Sequence, residues 1–341
     1  MSLRIGAGLG CEPLIFVLHE NSAWVEPLRR AFAERDAPFT EWFLDRGSLD
    51  LGAQPPQGVF YNRMSASSHT RGHRYAPEYT AAVLAWLTRH GRRIVNGERA
   101  LQLELSKVAQ YQALAQFNIE VPATIAAIGR EAIAAAAAEL GYPVILKHNR
   151  AGKGLGVKLI YSEPALSEHL ASANLEEPVD GIMLVQRYIA APAPFITRVE
   201  FVGGRLLYAV RVDTSEGFEL CPADACQRAP ASVCPTVGQG DKFQILSRFE
   251  HPLLPAWQAF LAANDIGIAG IEFIEDALGR AYTYDINTNT NYNPEAEAKD
   301  GRRGMGSIAG YLHQLLGETY PRAEIAPAAL APPKGEPARV V

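Results

Sequence analysis

The sequence predicts an α/β protein in the wider α+β sense. A parallel α/β unit comes first, a small unit with a glycine flap follows, and an antiparallel sheet closes the chain. Three observations predict this. Strand-like and helix-like runs alternate from Leu14 to about Asn96. Three glycines, Gly152, Gly154 and Gly156, stand between two strand-like runs. The stretch from Gly270 to Asn289, GIEFIEDALGRAYTYDINTN, reads as two strands folded back on a tight turn.

Composition bounds the function. The chain has 341 residues and is 48% hydrophobic, enough for two or three ordinary domains. A net charge of −5, with both signs mixed throughout, argues against a nucleic-acid footprint or a polybasic membrane patch. No apolar run reaches the roughly 18 residues of a membrane helix. The N-terminus shows no charged segment leading into an apolar one, so a cytoplasmic location is expected. The four cysteines are too few for a disulfide scaffold. Cys221, Cys226 and Cys234 cluster, but they match no CxxC pair and no nearby histidine completes a tetrahedron, so reduced thiols are expected rather than zinc.

In the first unit, Gly6-Ala7-Gly8-Leu9-Gly10 resembles a dinucleotide fingerprint in spelling only. Five residues precede it and a strand-like run, Leu14 to Leu18, follows where a helix should open. Ala23 to Arg35 is amphipathic, Phe39 to Leu44 and Gly58 to Tyr61 read as strands, Tyr79 to His90 as a helix, and Arg93 to Val95 as a short last strand. The segment Asn62 to Arg71 stands just past a strand end, where open α/β sheets place ligands. Its Arg63, Ser65, Ser68, His69 and Arg71 suit an anionic group such as a carboxylate; an ordinary polar loop is the alternative.

The second unit opens with a helix over Leu101 to Phe117 that carries Lys107. Ile128 to Leu140, rich in alanine, is helical up to Gly141. A strand Pro143 to Lys147, the flap Arg150 to Gly156 and a strand Val157 to Tyr161 come next. The flap's backbone N–H groups can approach phosphate oxygens, but it is no Walker A loop, and a plain hairpin turn is the alternative. A helix Ala165 to Ala173 leads to the strand Gly181 to Ile189.

In the third unit, strands around Thr197 to Phe201 and Arg205 to Val212 turn at Gly203-Gly204. A helix His251 to Asn264 precedes the final hairpin, a helix Ile308 to Leu316 follows it, and a Pro/Ala-rich tail ends the chain. If Asp276 pairs with Ala281, Glu272 lies directly across from Asp285. Glu272, Thr283, Asp285 and Asn287 then share one face, and Ile271, Phe273, Tyr282, Tyr284 and Ile286 the core face. Opposed carboxylates about 5 Å apart at Cβ repel. A divalent cation removes that conflict, and two acids with an amide are the hard oxygen set that Mg²⁺ takes alongside waters and phosphates. A solvated face with splayed acids is the alternative.

Taken together these stations resemble the ATP-grasp superfamily, most closely its carboxylate–amine ligases such as glutamate ligases and glutathione synthetases. The resemblance runs from about Lys107 to Asn287. It rests on a helical lysine ahead of Val121-Pro122, Pro143 to Lys147 before a flap ending Gly154-Leu155-Gly156-Val157, Val185 to Ile189, arginines flanking Gly203-Gly204, an acid, and then acid-x-Asn. It implies an N-terminal substrate domain over 1–105, a lid subdomain over 106–190, a C-terminal subdomain over 191–320 and a tail over 321–341.

The resemblance also implies roles. Lys107 and Lys147 would hold phosphates, and Gly152, Lys153, Gly154 and Gly156 would close over them. Gln186, Arg187, Tyr188 and Ile189 would meet adenine through their backbone. Glu272, Asp285 and Asn287 would bind one or two Mg²⁺ ions, or Mn²⁺ in their place. Arg211 and Arg198 would stabilise the transferring group, with surface ion pairs as the alternative. Asn289, in an amide cluster with Asn291 and Asn293, would orient substrate or phosphate oxygens, unless the three only form turns. Two departures stand out: Asp285 where a glutamate is usual, and Arg187 where an acid is frequent. The expected function is ATP- and Mg²⁺-dependent joining of a carboxylate to an amine, on a small molecule or peptide. The expected protein binds neither nucleic acid nor membrane, and a homodimer is compatible with its make-up. A nucleotide-binding sensor or partner module of the same fold without ligase activity is the alternative.

Overall fold

The structure is a computed structural model that describes residues 4–5, 12–152, 154, 156–173, 175–215 and 242–321. The Gly6–Gly10 stretch, Lys153, the three clustered cysteines and the Pro/Ala-rich tail past residue 321 lie outside the described residues.

The first unit runs through β1 (Arg4–Ile5), β2 (Leu14–His19), α1 (Ser22–Ala33), β3 (Phe39–Phe43), β4 (Ser48–Leu49), β5 (Gly58–Asn62), a 3₁₀ turn (Ser68–Arg71), α2 (Ala76–Arg89) and β6 (Arg93–Val95). β3, β2, β5 and β6 pair in that order, all parallel. β2 and β5 are apolar at nearly every position because helices cover both faces of such a sheet. Asn21 starts α1 by accepting from the N–H groups of Ala23 and Trp24. α2 begins a turn earlier than expected, with Pro77 in its first turn, where a missing N–H costs nothing.

One expected helix is two. α3 (Glu98–Leu105) and α4 (Lys107–Ala115) part at Ser106, whose backbone is extended at φ −143° and ψ 108°. Its hydroxyl accepts from Ala109 N–H at 3.2 Å and so caps α4. The periodicity of the apolar residues continues through the break, which is why a single helix was expected. The break puts Lys107 in the first turn of α4.

The lid unit holds β7 (Thr124–Ala127), α5 (Arg130–Leu140), β8 (Val144–His148), β9 (Lys158–Ile160), α6 (Glu163–Ala171) and β10 (Met183–Arg187). Its sheet order is β7-β10-β8-β9, antiparallel, and the flap joins β8 to β9. The third unit holds β11 (Phe195–Val202), β12 (Arg205–Asp213), β13 (Phe243–Leu246), α7 (Leu254–Ala263), β14 (Ile268–Glu275), β15 (Ala281–Asn287), α8 (Pro294–Asp300) and α9 (Gly304–Thr319). Its antiparallel order is β13-β12-β11-β14-β15.

The units share cores. Ile15, Val17, Val59 and Phe32 pack with Ile308, Leu312 and Leu316, so α9 at the far end of the chain covers the first sheet. Asn96, with φ +58°, fastens the same two units. Its amide donates to the carbonyls of Ile268 and Thr288 and accepts from the N–H groups of Gly267 and Ile268, at 2.8–3.2 Å. Both N–H groups and both lone pairs of that buried side chain are used.

Truncating it leaves four backbone groups unpaired. Asn96→Ala is expected to destabilise the protein by about 2–4 kcal/mol in urea unfolding; a change within about 0.5 kcal/mol would show that the four bonds contribute little.

Candidate active site

Strand pairing places Glu272 opposite Asp285, as the sequence predicts, by a different route. Near the turn the register is one residue off the expected one: Glu275 pairs with Ala281, and Asp276 N–H donates to the Arg280 carbonyl at 3.0 Å. A β-bulge then restores it, because β15 carries one extra residue, Tyr284, between Thr283 and Asp285. The faces change with it. Thr283, expected on the site face, is fully buried and accepts from the Trp257 indole N–H at 3.0 Å. Tyr284, expected in the core, lines the cleft beside Asp285. Tyr282 pairs with Ile274, itself a cleft residue, and so leaves the core face as well. Periodicity of two cannot reveal a bulge, since the extra residue breaks the very alternation used to read the faces.

Each acid already has a cation. Arg198 on β11 lies opposite Glu272 and donates to its Oε1 at 2.8 Å, to Glu200 Oε1 at 2.5 Å and to Thr290 Oγ1 at 2.6 Å. Gly270 makes room for it: a Cβ there would stand 2.5 Å from the guanidinium. Burial pushes the Glu272 and Glu200 carboxyls up while Arg198 draws both down, and those acids raise the Arg198 pKa against its own burial. Lys107 Nζ donates to Asp285 Oδ1 at 2.6 Å. Asn287 Nδ2 stands 3.4 Å from Glu272 Oε1.

Lys147, on β8, is buried and meets no carboxylate within hydrogen-bond distance among the described residues. Its Nζ donates to the Tyr111 hydroxyl at 2.6 Å and lies 5.3 and 5.6 Å from the ring centres of Tyr111 and Tyr284. The Tyr111 hydroxyl donates in turn to the carbonyl of Tyr284 at 2.8 Å, so the lysine is tied to the bulge. Gln186 donates to the same hydroxyl at 3.1 Å and to Thr124 Oγ1 at 2.8 Å. Burial, then repulsion from Lys107, lowers the Lys147 pKa from 10.5 to about 7 against the pull of Asp285 and Glu272. Tyr111 was not among the expected site residues, although its i, i+4 spacing from Lys107 puts both on one side of a helix.

The other expected residues divide. Lys107, Lys147, Gly152, Gly154, Gln186 to Ile189, Arg198, Glu272, Asp285, Asn287 and Asn289 all line one cleft, as does Ser65 from the first unit. The cleft encloses about 1290 Å³ with its open mouth included. Gly156, at φ +71°, sits where a Cβ would meet the His148 ring at 3.1 Å. Ser67, not foreseen, joins the lining next to Gly152. Glu104, also not foreseen, accepts from the Thr288 N–H and hydroxyl and the Ala66 N–H, and burial pushes its carboxyl up.

Five expected site residues stand elsewhere, Arg63 among them, buried at the end of β5 and not in the cleft lining. Arg71 pairs with Glu20 at 2.5 Å and covers the Trp24 ring, so its charge is already matched. Ser68 and His69 turn into the 3₁₀ segment, where His69 Nδ1 lies 3.2 Å from the Ala66 carbonyl oxygen; burial lowers its pKa. Arg211 is exposed on β12. It pairs with Thr197, one residue out of phase with Arg198, so it occupies the opposite sheet face and lies 4.7 Å over the Phe195 ring. A position next to the right turn did not fix which face the side chain takes.

Against this geometry the comparisons are direct. A family model described as "Carbamoyl-phosphate synthase L chain, ATP binding domain" matches residues 106–199. A β-citrylglutamate synthase B of Danio rerio is 26% identical over 239 residues, 69% of this chain and 54% of its own length. The chain spans about half the length of most of the curated relatives it matches, and a quarter of one. Among solved structures, a RimK-domain ATP-grasp protein of Sphaerobacter thermophilus has a TM-score of 0.59 at 21% identity, covering 88% of this chain and 99% of its own. The ATP-grasp ligase PsnB, solved with a minimal precursor, Mg and ADP, has a TM-score of 0.60 at 14% identity, covering 89% and 98%.

Lys147 gives the site a signature in stability. In the folded chain it loses its proton at about 7, and unfolded at its ordinary 10.5. The folded state therefore binds fewer protons across that window, and stability rises with pH through it; below pH 7 the buried charge opposes folding in full. Lys147→Met is expected to melt above the wild type at pH 7 without nucleotide, with the gain shrinking towards pH 10. A gain that does not change with pH would contradict the assignment.

Proposed function

The chain has the ATP-grasp fold, and on that premise we propose that it is an ATP- and Mg²⁺-dependent ligase that joins a carboxylate to an amine. The single observation that carries this reading is the meeting, in one cleft, of the opposed acids Glu272 and Asp285 with Lys107, Lys147 and the glycine flap.

The donor set suits the ion. Glu272, Asp285 and Asn287 offer two carboxylates and an amide oxygen on one wall, the few hard ligands that Mg²⁺ takes from a protein when phosphates and waters complete its shell. When bound there the ion supplies charge neutralisation to the phosphates. Lys107 and Lys147 act on the phosphates as point charges, and Lys107 must leave Asp285 to do so. Gly152 and Gly154 let the flap backbone close over the same groups and keep out water. The segment Gln186 to Ile189 meets the base through its main chain, since the Gln186 amide is committed to Tyr111 and Thr124.

The chemistry then has two steps. A substrate carboxylate oxygen takes the γ-phosphoryl group, releasing ADP and giving an acyl phosphate. An amine attacks the acyl carbon, loses a proton, and inorganic phosphate leaves. Arg198 acts through Glu272, which it holds in place, and Arg211 takes no part. The relatives include a synthase whose named product is an amide, which supports this reaction class. On this reading the work is cytoplasmic, where ATP is at hand.

ADP release that requires both a carboxylate and an amine is the expected result of a screen over amino acids, diacids and amines; release with the acid alone would favour phosphoryl transfer without ligation. Asp285→Ala is expected to drop turnover to background with the fold intact, since its side chain faces the cleft and not the core. Lys147→Ala is expected to weaken binding of a nonhydrolysable ATP analogue by about 1.5–3 kcal/mol in calorimetry, and unchanged affinity would remove that lysine from the nucleotide site.

A further inference from the structure

Behind the cleft wall lies a cation that nothing described neutralises. Arg63 is 2% exposed, at the end of β5, and its guanidinium donates to Asn289 Oδ1 at 3.0 Å, Asn291 Oδ1 at 2.8 Å and the Thr290 carbonyl at 3.0 Å, with Met305 Sδ at 3.7 Å. All four partners are neutral, and among the described residues no carboxylate oxygen comes within ion-pair distance. A buried charge without a counter-charge is costly unless something supplies one.

The bonds also settle which way the two amides point. A guanidinium can only donate, so the amide oxygens must face Arg63, and no flip of either amide is compatible with it. The NH₂ ends are thereby turned away from it, and both asparagines line the cleft. Neither NH₂ group has an acceptor among the described residues. Ser65 and Ser67 line the cleft as well, their hydroxyls 2.9 Å apart. Ser65 Oγ accepts from Ser67 N–H and Ser67 Oγ from Arg71. One hydroxyl hydrogen is used between the pair, and the other remains for the cleft. The acid in this wall, Glu104, accepts with its oxygens from Thr288 and Ala66.

We propose that Asn289 and Asn291, clamped and polarised by the buried Arg63, form with the Ser65–Ser67 pair a donor-rich receptor for a carboxylate of the acid substrate. The receptor rests on the ligase reading for the identity of its ligand. It selects an oxyanion over an ammonium, because the two amides present only N–H donors, the serine pair adds one free O–H, and the charge behind them is positive. Asn291 thereby becomes a specificity residue, and Arg63 a positioning residue that acts through the two amides.

The test is an isosteric exchange. Asn291→Asp keeps an acceptor on Arg63, so the link between the units survives, but puts a carboxylate oxygen where the NH₂ donors stood. Nucleotide-analogue-loaded protein with Mg²⁺ is titrated calorimetrically with glutamate, succinate and citrate, and with glutamine and succinamide. At least one acid is expected to bind, at least tenfold more tightly than its amide counterpart. Asn291→Asp is expected to lose at least tenfold in acid affinity with unchanged analogue affinity and an unchanged or higher unfolding midpoint. Asn289→Asp should lose acid affinity in the same way. The proposal is overturned if no acid binds the wild type, if amides bind as well as acids, or if Asn291→Asp keeps its acid affinity. Failure of the analogue itself to bind would count against the ligase reading; the acid titration is then run on nucleotide-free protein, where the same outcomes decide.

Discussion

Two carboxylates held side by side on neighbouring strands are the constraint from which the rest of the cleft follows. Glu272 and Asp285 repel, and the chain meets that repulsion with cations on separate elements: Arg198 from the next strand and Lys107 from the first turn of α4. The two solutions differ in kind. Arg198 is enclosed by Glu200, Thr290 and the bare backbone of Gly270, so it belongs to the framework. Lys107 has one carboxylate partner and stands at the end of a helix, where its side chain can exchange that partner for a phosphate without disturbing a core.

A second pattern is that the lysines are not equivalent. Lys107 has an acid; Lys147 has a phenol and two ring faces. An amine kept from water and from carboxylates is a charge with an unmet demand, and its pKa falls accordingly. Arg63 shows the same economy of neutral partners on the far side of the cleft. The cations around the cleft thus divide into those matched by a carboxylate, Arg198 and Lys107, and those held by neutral partners, Lys147 and Arg63.

Much of this was legible in the sequence, and what was not has a physical reason. The opposed acids, the flap glycines and the alternation of the first unit follow from local pattern, since each depends on residues near one another in the chain, while Lys107 and Lys147 were expected from the resemblance to ATP-grasp ligases. Ser106 was read through because an apolar stripe continues across a break that only dihedral angles reveal. The faces of Tyr282, Thr283 and Tyr284 inverted because one inserted residue changes the phase. Arg211 was given the wrong side of its sheet, and Arg71 and His69 face their own neighbours rather than ligand space, because a loop's composition does not say which partner lies closest. Glu104 needed contacts with Thr288, 184 positions away, which no window of sequence contains.

The bulge at Tyr284 has a consequence for how such a site can change. A strand without that residue would keep an unbroken ladder against β14, with Thr283 still opposite Phe273 and Asp285 still opposite Glu272. The cleft would lose an aromatic wall, and the carbonyl that receives Tyr111 would vanish with it. One codon, gained or lost at this point, therefore separates a ribbon that merely completes a sheet from one that can hold a charged lysine in an oily place.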